Sequence, residues 1–274
     1  GDPAQKARAD GWLTALRVNL DAHLKRLRLQ PLGASWSVLT AFEEGRYESI
    51  AVEYALRRAA TEGSGAGLHP PVAVLAGGSG SVQITALDSL HSFYAPLRRG
   101  MSIIKDAPAR EYQARLELWR QEVLASLGTS PVCNLMARRA EAQQHDGGEP
   151  LRIVLISAFF YSGLNAAGLV KRGERPRYHP AALVDERLRQ FTLKADISSQ
   201  DDLKEVVNAE RIRAILHGIF GEFIGQVEII FARDWKFKAG NGATVDFRMT
   251  WTAGWWLDEL TSLYRRDTEQ EPWR

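Results

Sequence analysis

The chain has 274 residues, 45% hydrophobic and 25% charged, with a formal net charge of +2. That suffices for one large domain or two small ones with a substantial core, and it excludes a disordered or fibrous protein. The charge balance excludes the long basic stripe of a nucleic-acid binder too, since pairs such as Arg138-Arg139 and Arg265-Arg266 are separated by acidic residues.

Asp2-Pro3 reads as an N-cap with proline in the first turn, and Trp12, Leu13, Leu16, Leu20, Leu24 and Leu27 continue a helical spacing up to Pro31. A long amphipathic helix therefore opens the chain. Trp36 to Thr40 suits a short strand, Glu43-Glu44-Gly45 a turn, and Tyr47, Ile50, Tyr54 and Leu56 a helical face. After a loop from Gly63 to Pro71, Val72 to Ala76 and Val82 to Leu87 read as strands joined by Gly77-Gly78-Ser79-Gly80-Ser81. Tyr112 to Leu127 and Val132 to Gln143 are helical by spacing, and His145 to Pro150 is a break.

The longest apolar run, Ile153 to Tyr161, is far shorter than the ~20 residues of a membrane span, and it places a buried strand from Leu151 to Ala158. A polar loop follows. Further on come helices near Pro180 to Phe191 and Asp201 to Phe223, then a strand from Val227 to Phe231. Asn241-Gly242 turns into Thr244 to Thr252, and Trp255 to Tyr264 reads as the last helix.

Cys133 is the only cysteine, so no intrachain disulfide can form, and no Asn-x-Ser/Thr sequon points to a secreted glycoprotein. The expectation is a reducing intracellular compartment, with a mitochondrial or other organellar home compatible. Gly1 in place of methionine raises the expectation of processing or trimming. The six histidines are scattered without metal-cluster spacing, and neither a Gly-x-x-x-x-Gly-Lys-Ser/Thr loop nor a Gly-x-Ser-x-Gly elbow occurs. Gly78-Ser79-Gly80 runs into a strand where a dinucleotide-binding loop would open a helix. Backbone N–H groups of a glycine hairpin can still curl around phosphate oxygens, because glycine tolerates the φ values and the close approach.

Four segments in order carry a resemblance: Leu39-Thr40-Ala41-Phe42-Glu43-Glu44-Gly45-Arg46-Tyr47 with Tyr54, Gly77-Gly78-Ser79-Gly80-Ser81-Val82-Gln83, Ile156-Ser157-Ala158-Phe159-Phe160-Tyr161, and Ala253-Gly254-Trp255. Together they resemble the second lobe of the apyrase family, the nucleoside triphosphate diphosphohydrolases of the actin-like phosphotransfer superfamily. The resemblance implies Glu44 as general base, Ser81 and Gln83 as water and metal contacts, Gly77, Gly78 and Gly80 as phosphate-binding backbone, and Tyr161 as a base-stacking platform. Several positions depart from the family pattern. Leu75 stands where an aspartate helps to hold the hydrated metal, the hairpin is one residue longer, and Ser49 replaces a tryptophan. Around Arg211 to Arg213 there is no second stacking tyrosine. The family's first-lobe motifs would lie upstream of the opening helix, where this chain has only Gly1 to Ala9.

The expected fold is therefore α/β: an actin-like (ribonuclease-H-like) lobe, a mixed sheet flanked by helices, over residues 1–274 with an N-terminal amphipathic helix and no first lobe. The leading functional expectation is a non-catalytic structural or interaction subunit of a larger assembly, partnered by other protein subunits and neither by nucleic acid nor by a membrane span. Two alternatives stand beside it. One is a nucleoside di- or triphosphate hydrolase completed by a first lobe on another chain, and the other is a regulatory nucleotide-binding module. No metal ligand and no cofactor is assigned to the isolated chain; Mg²⁺ or Ca²⁺ with nucleotide belongs to the hydrolase alternative.

Overall fold

The computed structural model describes residues 39–61, 71–77, 81–87, 92–96, 109–156, 158–170, 177–195, 200–231, 234–238, 244–248, 250 and 252–258, with residues 11, 14, 15, 18, 22, 25 and 26. The chain divides into two compact units, Gly1–Thr40 and Ala41–Arg274. In the first unit residues 11, 14, 15, 18, 22, 25 and 26 are helical and exposed. Their spacing of three and four puts them on one side of a helix, and the apolar positions read from Trp12 to Leu27 lie outside the described residues. Residues 39 and 40 are neither helix nor strand, and the rest of the expected Trp36 to Thr40 strand lies outside the described residues.

The second unit is built on a mixed sheet of β1 (Ala73–Gly77), β2 (Ser81–Ala86), β3 (Ser92–Pro96), β4 (Leu151–Ile156), β5 (Tyr178–Pro180) and β6 (Val227–Phe231) in the order β3-β2-β1-β4-β6-β5. β1, β2 and β3 form an antiparallel meander, β1-β4 and β4-β6 are parallel pairs, and β5 runs antiparallel to β6. Helices flank both faces, so the unit has the α/β architecture expected from the sequence, a mixed sheet flanked by helices. The central strands are near-continuous apolar runs, Leu-Arg-Ile-Val-Leu-Ile in β4 and Val-Glu-Ile-Ile-Phe in β6. Such runs arise because a parallel strand covered on both faces has no side that meets water.

One face is covered by α2 (Ala109–Gly128), α3 (Pro131–Asp146), α4 (Ala158–Ala166), α5 (Ala181–Lys194) and α6 (Gln200–Phe220), which continues into a 3₁₀ turn at Gly221–Gln226. The other face is covered by α1 (Ala41–Thr61), whose Ala51, Val52 and Ala55 pack against Val74, Ala76, Val154, Ile156 and Ile230. β7 (Asp234–Lys238) and β8 (Thr244–Arg248) form a separate antiparallel pair, and α7 spans 252–258. Local signals set the ends of α3. Ser130 accepts from the Cys133 N–H at 3.3 Å, Pro131 follows, and Gly147 takes φ +63° at the C-terminal cap. A serine cap of this kind contributes about 1 kcal/mol, and glycine adopts the left-handed cap without a Cβ penalty.

Two readings from the sequence are corrected. Glu43-Glu44-Gly45 is the first part of α1, where the two carboxylates complement the partial positive charge of the helix N-terminus. The strand expected to run to Ala158 ends at Ile156, and Ala158–Ala166 is helix. There Phe160 and Leu164, one turn apart, both enter the core. Gly163 lets the helix close onto α6, for a Cβ on it would come within 2.8 Å of Ile212 Cδ1 and 3.1 Å of the Ala209 backbone nitrogen. β3, β5 and β7 had no sequence reading. No helix among the described residues is long and apolar enough to cross a membrane.

Candidate functional site

The candidate site lies where the start of α1 meets β2. Gln83 pairs with Ala76 across the β1-β2 hairpin, and both belong to the face covered by α1. Its amide Nε2 donates to Glu44 Oε2 at 2.6 Å. Two side chains 39 positions apart are thus joined because α1 crosses the sheet beside the hairpin. Gly77 ends β1 and is buried opposite Val82. Gly78 and Gly80 lie outside the described residues, as do the side chains of Ser81, which begins β2, and Tyr161, whose backbone is in α4.

The closing motif joins the same region. Gly254 of α7 lies against α1 so closely that a Cβ on it would run into the Tyr47 carbonyl oxygen. Arg46 adds a forked ion pair to Asp258, Nη2 lying 3.2 and 3.0 Å from Oδ1 and Oδ2, and its guanidinium carbon sits 5.6 Å from the centre of the Tyr47 ring. The acidic segment, the hairpin and the Ala-Gly-Trp motif therefore converge. The aromatic segment does not join them on that face: Phe160 is buried on the side of α2 to α6. Trp255 and Trp256 meet edge-to-face with ring centres 5.1 Å apart, and Trp256 is 59% exposed.

Position 75 is turned away from this site. Leu75 packs with Ala73, Val82, Ile84, Ile153 and Leu155 on the other face, because alternate residues of a strand project to opposite sides. The residues present therefore do not fit the hydrated divalent metal of the apyrase pattern. Position 75 carries no oxygen ligand, and its side chain is across the sheet from Gln83. Among the described residues no group of three or more His, Cys, Asp or Glu could hold a metal ion. Ser49, at the family's tryptophan position, donates its hydroxyl to the Arg46 carbonyl at 2.7 Å. Arg211 is buried with its guanidinium 5.1 Å from the Trp119 ring centre, and Arg213 pairs with Asp185 and Glu210.

Glu48 is the residue that sequence reading missed. It lies one turn after Glu44 on α1 and is 8% exposed; Gln83 is 3% exposed. Burial, reinforced by the neighbouring Glu44 charge, pushes the Glu48 carboxyl up to about 8. The signal was the i, i+4 spacing of two glutamates, which acquires meaning only when 43–45 is helical. Chemically the cluster offers a carboxylate able to take a proton and an amide that holds it in place.

No protein-family model matches the sequence, and no curated protein does either. Solved structures with a similar fold include three from Aquifex aeolicus. The type II variant of the Ppx/GppA phosphatase is 14% identical, the match covering 71% of this chain and 60% of that one, with a TM-score of 0.39. A Ppx/GppA family member is 12% identical, covering 93% and 82%, with a TM-score of 0.47. A PPX-GPPA enzyme is 14% identical, covering 78% and 67%, with a TM-score of 0.43. The chain thus spans less than two thirds of the first of these proteins. At identities of 12 to 14% the similarity concerns the fold alone.

Proposed function

We propose that this chain is an apyrase-like lobe serving as a non-catalytic structural or interaction subunit of a larger protein assembly. The observation that carries the reading is the placement of position 75. The family's metal-holding carboxylate is replaced by a leucine, and the hairpin register sends that side chain into the core, on the face opposite Glu44 and Gln83. Phosphoryl transfer depends on positioning and on neutralising the charge of the phosphates, so a cradle lacking its metal-shell carboxylate loses much of its catalytic power. The exposed Trp255-Trp256 pair supports the interaction part, since aromatic surface of this kind is common where proteins meet.

The test is phosphate release from nucleoside di- and triphosphates with Mg²⁺ or Ca²⁺. The chain is expected to release none above the buffer rate. Turnover abolished by Glu44→Gln would overturn the non-catalytic reading.

A second reading, a nucleotide hydrolase completed by a first lobe on another chain, is favoured by one observation: Glu44 and Gln83, two positions with catalytic roles in the apyrase pattern, touch at 2.6 Å. Purification of the native protein separates the two. A co-purifying chain that carries an Asp-x-Gly-Ser-Ser hairpin supports the hydrolase, and a large assembly without one supports the subunit.

A further inference from the structure

β6 ends at Phe231 in the core, and Ala253 of α7 packs against the cluster that holds Ile230. Between these two points β7 and β8 form a ribbon of their own, separate from the six-stranded sheet. The register opposes Trp235 to Phe247 and Phe237 to Val245, so these four apolar positions share one face. On the other face it opposes Asp234 to Arg248 and Lys236 to Asp246, two pairs of opposite charge. A ribbon of two strands is marginal in water and gains stability from a third strand. β7 runs beside α1, and among the described residues β8 is hydrogen-bonded to no strand but β7. β8 is thus an edge, and an edge presents backbone N–H and C=O groups to any strand of fitting pattern.

The sequence Thr-Val-Asp-Phe-Arg of β8 fits a second copy of itself. When two copies are laid antiparallel about a two-fold axis at Phe247, the two Phe247 residues stand opposite each other. Each Asp246 then stands opposite Arg248 of the second copy. We propose that this chain self-associates through β8, two copies joining their ribbons into one four-stranded sheet around Phe247.

The charges select this register. Across the four strands runs a row of Lys236 and Asp246 followed by Arg248 and Asp234 of the second copy, alternating in sign, and symmetry repeats it on the other side of the axis. Between the two rows, on the opposite face, lie four aromatic positions, Trp235 and Phe247 from each copy. Opposite charges and aromatic residues directly across from each other are the pairs that stabilise a sheet. The register centred on Asp246 sets that carboxylate against its own copy and is disfavoured. The association is independent of whether the lobe turns over nucleotide.

The test is the mass of the whole chain in solution, by light scattering or sedimentation across the micromolar range. The wild type is expected to pass from one chain to two as concentration rises. Asp246→Arg opposes two cations across the axis, and Arg248→Asp opposes two carboxylates, each twice by symmetry. Each variant alone is expected to dimerise roughly tenfold more weakly or worse. Their equimolar mixture is expected to recover, because every mutated position then meets an opposite charge on the other variant. Either substitution also opposes like charges within its own ribbon, at Lys236 or at Asp234, so Phe247→Cys supplies a second measurement. Oxidation is expected to link two copies at position 247, where the axis passes, and to leave Val245→Cys unlinked, since its two copies stand four residues apart along the strands, beyond the reach of a disulfide. A wild type that remains a single chain throughout overturns the proposal, whatever the variants do. It is equally overturned by dimerisation that both charge variants leave unchanged, by a mixture no stronger than its components, or by the absence of a link at position 247.

Discussion

Leu75→Asp is expected to destabilise the protein by about 4 kcal/mol or more, lowering the melting temperature by roughly 10 °C. Leu75 is 1% exposed and sits in the strand between β2 and β4, with Val82, Ile84, Ile153 and Leu155 in the same apolar cluster. The substitution removes the packing of a leucine, which alone costs about 2–5 kcal/mol when cut back to alanine. It then adds a carboxylate that must either ionise in an apolar core or bind a proton there, and either course disfavours folding. The informative part is the response to ligand. Because position 75 projects away from Glu44 and Gln83, Mg²⁺ with a non-hydrolysable nucleotide is expected to leave the melt unchanged. A stable variant whose melting temperature rises with that ligand would sink the non-catalytic reading. Leu75→Ala serves as the packing reference, and Leu75→Asp should fall clearly below it.

Gly254→Ala is expected to have the next largest effect, a loss of about 1–3 kcal/mol from overpacking. The added methyl would run into the Tyr47 carbonyl oxygen, which belongs to the backbone of α1 and cannot rotate aside as a side chain would. α7 must therefore move away from α1, weakening the Arg46-Asp258 pair and the packing of Ala253 against the α1 side of the sheet. Amide hydrogen exchange should accelerate at 252–258, and the tryptophan emission from Trp255 and Trp256 should change, before global unfolding. Gly128→Ala is the control, since nothing lies within 4 Å of a Cβ at Gly128 and its φ is not in the left-handed region. That change should be neutral or slightly stabilising, as replacement of a helical glycine by alanine usually is. Equal losses in the two variants would contradict the close approach of α7 to α1.

Much of the fold was legible because strong local patterns and tertiary demands agree. The spacing of Tyr112 to Leu127 and of Val132 to Gln143, the apolar run at Val227 to Phe231, and the glycines between Val72 and Leu87 each lead to an observed element. β3, β5 and β7 were illegible for the opposite reason. They are three to five residues long, and Tyr-His-Pro or Asp-Trp-Lys-Phe-Lys reveals itself as strand only through the neighbour it pairs with. Beyond Ala158 the sequence reading had a polar loop, and a helix formed at Ala158–Ala166 because Phe160 and Leu164 bury one turn apart while Gly163 allows contact with α6.

The site divides along the same line. By itself the sequence determined the residue types and their order: the glutamates before a glycine, the glycine hairpin, Gln83 beyond it, the Ala-Gly-Trp segment near the end, and a leucine where the pattern has an aspartate. Only the tertiary structure decided which of these meet. A glutamate and a glutamine 39 positions apart become partners because α1 crosses the sheet beside β2, and Gly254 joins them because it has no Cβ to hold α7 away from α1. Leu75 and Gln83 are parted because the strand period of two sends them to opposite faces, a consequence of the hairpin register that the spacing of motifs along the chain does not contain. Glu48 stands out in the same way, since only the tertiary structure buries it beside Glu44 and so pushes its carboxyl up.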